Sequence, residues 1–187
     1  MDPWKFYDIT HRDDVYCNPF SPARFEELIE MLRLAPGARV LDIASGKAEL
    51  LVRLAERYGS AGVGVDISPF CVRDATRKAV ARVPRADLTF LEMDAARYES
   101  GGRVFDLAMC VGASWIWHGH RGTLRALSGF VRPGGLVLVG EPYWRRTPDP
   151  SYLAADRMRA DDFSTHQDIY LRWGRDTMGW ALYLFRR

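Results

Sequence analysis

An open, doubly wound, mostly parallel α/β sheet in a single domain is the fold this sequence predicts, and three observations predict it. Short apolar runs alternate with amphipathic helical stretches from residue 39 to residue 139, the repeat from which parallel sheets are built. Residues 39–49, RVLDIASGKAE, pass from an apolar strand through a turn of small residues into a helical pattern; such a turn brings backbone N–H groups close to a nucleotide-type cofactor. Residues 105–111, FDLAMCV, form an almost unbroken apolar run, as a central strand covered on both faces requires.

The elements follow in order. Residues 1–20 interleave Trp4, Phe6, Tyr7, Tyr16 and Phe20 with Asp8, His11 and Asp13, an irregular arm too aromatic to be a disordered tail. Ser21 and Pro22 supply an N-cap and a first helical position, and Phe25, Leu28, Ile29 and Leu32 share one face of a helix over 22–33. Residues 40–43 make the first strand, and Leu51, Leu54, Ala55 and Tyr58 stripe a helix that Gly59 stops. Residues 62–65 make the second strand, ending at Asp66, and Ser68-Pro69 starts a helix reaching about residue 82. Residues 88–93 form the third strand, followed at once by Asp94, and 105–111 the fourth. Leu124, Leu127 and Val131 mark the next helix, Pro133-Gly134-Gly135 turns the chain, and 136–139 make a fifth strand. Beyond it Pro142, Pro148 and Pro150 suggest a loop, 152–160 a short helix, and 180–185 an aromatic-rich strand.

Composition narrows the function classes. A chain of 187 residues, 48% hydrophobic, can bury about two thirds of its extended surface, which suits one core. The net charge of +2 favours neither nucleic acid nor an acidic disordered chain. Cys17, Cys71 and Cys110 are few, distant and odd in number, so a reducing cytoplasm is expected rather than a disulfide framework. No stretch approaches the roughly 18 apolar residues of a membrane span, and no basic leader precedes an apolar run. His118 and His120 with Cys110 lack zinc-ligand spacing, so no metal is expected.

In an open parallel sheet the ligand lies beyond the carboxyl ends of the strands, where strand order reverses. The 44–48 turn, Asp66 and Asp94 all fall at that edge, and Asp66 follows Gly46 by the twenty residues that a ribose-binding carboxylate needs after one helix. A lone strand-end aspartate is as often solvated surface; three in register point to a site.

The segments VLDIASGKAELL, GVGVDIS, LEMDA and RPGGLVLVGEPYW, in this order and spacing, resemble the class I S-adenosylmethionine-dependent methyltransferases of small-molecule type over residues 39–144. The resemblance implies a Rossmann-like sheet with an antiparallel last strand, GWALYLF, and S-adenosylmethionine as cofactor. It implies an organisation of 1–38 as arm and helix, 39–144 as cofactor core and 145–187 as a shortened C-terminal region, with six strands and one edge strand of the family missing. By the resemblance, Ala44, Ser45 and Gly46 contact the methionine part with help from Asp42. Asp66 holds the ribose hydroxyls, Ile67 packs on adenine, Asp94 and Ala95 meet its edge, and Cys110 and Val111 lie beside the sulfonium. The family turn usually carries three glycines where this chain keeps Gly46 alone between Ala44 and Ala48.

Methyl transfer from a sulfonium needs positioning more than a catalytic triad. A base is required only when the acceptor loses a proton; Glu141, at the end of the fifth strand, is the first candidate, with His118, His120 and Tyr143 beside it, and Tyr7 and His11 if the arm folds over the site. Trp115, Trp117, Tyr143 and Trp144 follow strands four and five and suit either an aromatic wall for the acceptor or core packing. The fourth strand ends CVGAS, without the Asn/Asp-Pro-Pro-Tyr/Phe or Pro-Cys elements of nucleic-acid methylating enzymes, which leaves a small-molecule acceptor. A non-catalytic cofactor-binding scaffold and an NAD-dependent oxidoreductase stay open as alternatives, and the oligomeric state is not legible.

Overall fold

Two serine-proline pairs start helices as their chemistry dictates. Ser21 accepts from the N–H of Arg24 and Ser68 from that of Cys71, each ahead of a proline whose missing N–H costs nothing at the first helical position. The computed structural model describes residues 3–18, 20–147, 150–151 and 177–187. In chain order it contains α1 (Pro3–Thr10), α2 (Pro22–Leu32), β1 (Arg39–Ile43), α3 (Glu49–Tyr58), β2 (Ala61–Asp66), α4 (Pro69–Arg82), β3 (Leu88–Glu92), β4 (Phe105–Val111), α5 (His120–Phe130), β5 (Val131–Trp144) and β6 (Met178–Arg186). Short 3-10 turns occupy Ala95–Arg97 and Ser114–Trp117.

The strands form one sheet in the order β3-β2-β1-β4-β5-β6. Neighbouring pairs from β3 to β5 are parallel, with Leu41 beside Val63 and Ala108 in register. Gly134 and Gly135 exchange backbone hydrogen bonds with Arg187, and Arg145 donates to Thr177. Early residues of β5 thus meet late residues of β6, so that pair is antiparallel. Alternation along the strands splits the core between two faces. Val40, Leu107, Met109 and Leu138 pack with Phe25, Leu28, Ile29, Leu51 and Leu54 on one face. Leu41, Ile43, Val65, Ala108, Val137 and Val139 pack with Leu127 on the other.

The chain divides into two compact units, Met1–Gly140 with Leu182–Arg187, and Glu141–Ala181. Three sequence expectations are corrected or left aside. Residues 3–10 of the arm are helical rather than irregular; the run is too short for periodicity to show, and the helix is held by packing. Asp8 pairs with Arg73 of α4, and Lys5 and Arg73 both lie over the Phe70 ring. Pro133-Gly134-Gly135 is a bulge within β5 rather than a turn before it. Along β4, Phe105 to Leu107 matches Val131 to Leu136, and a Cβ at Gly135 would stand 2.3 Å from Val131 Cγ1 and 2.9 Å from the Asp106 carbonyl. The helix expected over 152–160 lies outside the described residues.

Candidate cofactor site

Strand order reverses at β1: β2 and β3 lie to one side, β4 and β5 to the other. The crevice therefore opens beyond the carboxyl ends of β1 and β4, where the 44–48 turn leaves β1. Two backbone–backbone bonds and one carboxylate build that turn. Ser45 N–H donates to the Val65 carbonyl at 3.0 Å, Ala48 N–H to the Ser45 carbonyl at 2.8 Å, and Gly46 N–H to Asp66 Oδ2 at 2.7 Å. Asp66 Oδ1 accepts from Ser68 N–H at 2.9 Å. One side chain at the end of β2 thus ties the turn after β1 to the start of α4.

Ala44 and Ala48 both adopt left-handed backbone conformations, φ +53° each, with Gly46 at +54° between them. A Cβ there crowds the following carbonyl and costs about 1 kcal/mol. The family's glycines therefore answer a conformational need that this chain meets at a cost. Ala44 is half-buried, whereas the Ala48 methyl is 1% exposed, so glycine at 48 relieves strain and forfeits about 0.8 kcal/mol of packing. Ala44→Gly is expected to raise the melting temperature by about 2–4 °C in a chain of this size, with Ala48→Gly close to neutral. Differential scanning calorimetry of the two variants checks this, and a lower melting temperature for Ala44→Gly would contradict the strain.

Burial pushes the Asp42 carboxyl well above the usual carboxylate range, and nearby Asp66 adds to the effect. Asp66 is raised by burial too, opposed by the N–H groups of Ser68, Gly46 and Ile67. Ser45 Oγ is buried at the turn without a hydrogen-bond partner. Ile67 is 46% exposed beside Asp66. Asp94 caps the 95–97 turn by accepting from Ala96 N–H at 2.9 Å, over a buried Ala95. Cys110 is wholly buried in the core and Val111 is half-buried at the end of β4.

The arm crosses this crevice. Its Tyr7 ring stacks on His11 with centroids 4.0 Å apart. Burial, the Cys17 thiol beside it and the charge of Asp66 raise the Tyr7 hydroxyl. Cys17 Sγ lies 3.8 Å from where a Cβ on Gly46 would stand, and Asn18 Nδ2 donates to the Val111 carbonyl at 3.4 Å. Cys71 is pushed up to about 12 by burial, then by Asp66. The structure places Tyr7 and His11, the two arm residues expected from sequence, together with three that were not: Cys17, Asn18 and above all Lys47, whose ammonium donates to the carbonyls of His11, Arg12 and Asp14. A lysine among the small residues of the turn marks the position in the sequence but not the direction its ammonium takes.

The other candidates lie on or just after the 114–117 turn, at the start of α5 and at the end of β5. Trp115 is 70% exposed, Trp117 is half-buried, and His118 caps their 3-10 turn with φ +58°. His120 opens α5 with its ring edge-on to Tyr183 at 4.9 Å. Glu141, Tyr143 and Trp144 belong to the second unit. No group of three or more potential metal ligands occurs among the described residues.

Comparison with known proteins gives concordant matches. A family model described as "Methyltransferase domain" matches residues 40–135. The YjhP protein of Escherichia coli (strain K12) is 36% identical over 154 residues, which cover 82% of this chain and 62% of that protein, so the match spans less than two thirds of that relative. Two solved structures of S-adenosylmethionine-dependent methyltransferases in complex with S-adenosyl-L-homocysteine are similar throughout. The one from Thiobacillus denitrificans has a TM-score of 0.85 and 29% identity, covering 100% of both chains. The one from Geobacter sulfurreducens has a TM-score of 0.86 and 27% identity, covering 98% of both.

Proposed function

Because the chain belongs to the methyltransferase-domain family of class I S-adenosylmethionine-dependent proteins, we propose that it binds S-adenosylmethionine in the crevice beyond β1 and β4 and methylates a small-molecule acceptor. The bridging of Gly46 and Ser68 by Asp66 carries the reading. The two Asp66 oxygens offer about four acceptor positions, of which the bonds from Gly46 and Ser68 N–H take two, so acceptor capacity is left for ribose hydroxyls. The residues fit the cofactor in two further respects. Ser45 Oγ is an orphaned buried acceptor in the turn, and Ile67 offers an exposed apolar face next to Asp66 for a planar base.

S-adenosylmethionine supplies a methyl on an already activated sulfonium, so this chain's residues mainly bind, orient and exclude water. The 44–48 turn and Asp42 hold the methionine end, Asp94 and Ala95 the adenine edge, and the backbone of Cys110 and Val111 the reacting end. Tyr7 and His11 of the arm and Trp115 and Trp117 are the residues we propose for contact with the acceptor; Trp144 is a further candidate. For an acceptor that must lose a proton, Glu141, His118 and Tyr143 are the groups to test. No described helix is long and apolar enough to cross a membrane, and with three free cysteines we assign the chain to the cytoplasm.

Isothermal titration calorimetry with S-adenosylhomocysteine and NADH tests the cofactor. Saturable binding of S-adenosylhomocysteine is expected, with none for NADH. The opposite pattern would replace this reading with an oxidoreductase. Production of S-adenosylhomocysteine across a panel of small hydroxyl, amine, thiol and carbon acceptors then separates an enzyme from a binding scaffold.

A further inference from the structure

Lys47 is a cation in a place where the turn needs none. The residue is 9% exposed, and its Nζ donates to three backbone carbonyls of the arm, His11 at 2.5 Å, Arg12 at 3.0 Å and Asp14 at 3.2 Å. These carbonyls directly follow α1, at the end of a helix where peptide dipoles favour positive charge. Its own backbone is fixed, between Gly46 and Ala48 in left-handed conformations and one residue from the Gly46 N–H that Asp66 accepts. The arm continues from Lys47 across the crevice: Cys17 lies against Gly46, and Asn18 reaches the Val111 carbonyl. Both walls of the crevice, the turn after β1 and the end of β4, are thus bonded to one stretch of eight residues, 11–18.

We propose that Lys47 is a positioning residue that latches the N-terminal arm across the cofactor crevice, so that the cofactor enters and leaves only when these carbonyls let go of the ammonium. The inference rests on the cofactor reading above, and it deepens that reading by assigning the arm's control to one side chain within the turn itself. Charge-assisted bonds to three carbonyls in a nearly dry setting are strong when all are made. They also release together, because the acceptors lie within four consecutive residues. An arginine can donate to carbonyls from the same position; a methionine fills similar space and donates nothing.

The test compares wild type, Lys47→Met and Lys47→Arg in the full chain, with two readouts. Limited trypsin digestion without ligand reports the latch alone: cleavage after Lys5 and Arg12 is expected to quicken about tenfold or more in Lys47→Met and to return most of the way in Lys47→Arg. Stopped-flow with S-adenosylhomocysteine reports its consequence: dissociation and association are both expected to speed up about tenfold or more in Lys47→Met, so that rates change more than affinity. Adding Tyr7→Ala, which loosens the same arm, is expected to speed dissociation in wild type and to add little in Lys47→Met. Trypsin cleavage at the wild-type rate in Lys47→Met overturns the latch. So do faster cleavage with unchanged exchange rates, or a Lys47→Arg chain that behaves as Lys47→Met. If S-adenosylhomocysteine does not bind wild type, the cofactor reading fails, and digestion still decides whether Lys47 holds the arm.

Discussion

Replacing Asp66 with alanine is expected to weaken S-adenosylhomocysteine binding by about 100-fold or more. Two hydrogen bonds from ribose hydroxyls to a carboxylate are each worth roughly 1.5–3 kcal/mol, so losing both costs about 3 kcal/mol at the least, or two orders of magnitude in affinity. The alanine also strips acceptors from the Gly46 and Ser68 N–H groups, which loosens the turn itself. Asp66→Asn separates the two effects. Folding raises the Asp66 carboxyl above its ordinary range, chiefly by burial. A raised acid binds protons more tightly folded than unfolded, so its ionisation opposes folding as pH rises past the unfolded value. The neutral amide relieves that penalty while leaving one of the two N–H donors facing an NH2 group. The opposed terms put the Asp66→Asn melting temperature within a few degrees of wild type at pH 7, while binding stays close to the alanine level. A charge kept at the expense of stability is what a ligand-binding role for Asp66 predicts. Calorimetric titration and thermal melts of the two variants check this. Wild-type affinity in Asp66→Asn would remove the carboxylate from ribose recognition.

The parts of this molecule legible in the sequence are those fixed by local chemistry or strict period. Ser21-Pro22 and Ser68-Pro69 located two helix starts to the residue because capping acts within four positions. The apolar run 105–111 coincides with the central strand β4 because both of its faces are covered. Asp66 was legible as a candidate site residue because strand length and one helix set its distance from Gly46, whose N–H it accepts. What tertiary packing decides was hidden. The helix of residues 3–10 has eight residues, fewer than can stand alone, and α4 holds it through Arg73 and Phe70. The β5 bulge lies in register, which no single-strand pattern encodes. Lys47 was hidden for another reason: nothing about a lysine in a loop says that its ammonium turns inward, since the carbonyls it meets lie more than thirty residues away in sequence. Ala44 and Ala48 were visible as departures from a glycine pattern. Their sign, strain rather than mere bulk, needed the two φ angles.

That strain needs an opposing term, and the residue next to Ala48 supplies one, so Glu49→Gln is expected to be the most destabilising of the substitutions considered. Glu49 is the first residue of α3, where a carboxylate also favours the helix dipole. It is 5% exposed and carries three cations: Arg53 at 2.7 Å, Lys78 at 2.8 Å and Arg82 at 2.8 Å. Arg53 extends the network to Glu26 of α2, and Arg82 to Glu56. Three helices are thus cross-linked one residue beyond the left-handed Ala48. Burial alone would raise the Glu49 carboxyl; Lys78, Arg82 and Arg53 outweigh it and hold the group at about 2. Against an ordinary glutamate near 4.3, a depression of this size stabilises the folded chain by about 3 kcal/mol at neutral pH. The sign follows from the direction: the stabilisation is complete above the unfolded value and is lost as pH falls from about 5 towards 2. At pH 7 Glu49→Gln is expected to melt about 6–12 °C below wild type. Lys78 then has no carboxylate at that position, whereas Arg53 and Arg82 retain Glu26 and Glu56. At about pH 2 the gap between the two melting curves should have shrunk to about 1–2 °C. Because glutamine keeps the shape and the helix propensity of glutamate, a gap that persists unchanged at low pH would assign the loss to packing instead of charge. The strained turn would then have to be held by the hydrophobic face of α3 alone.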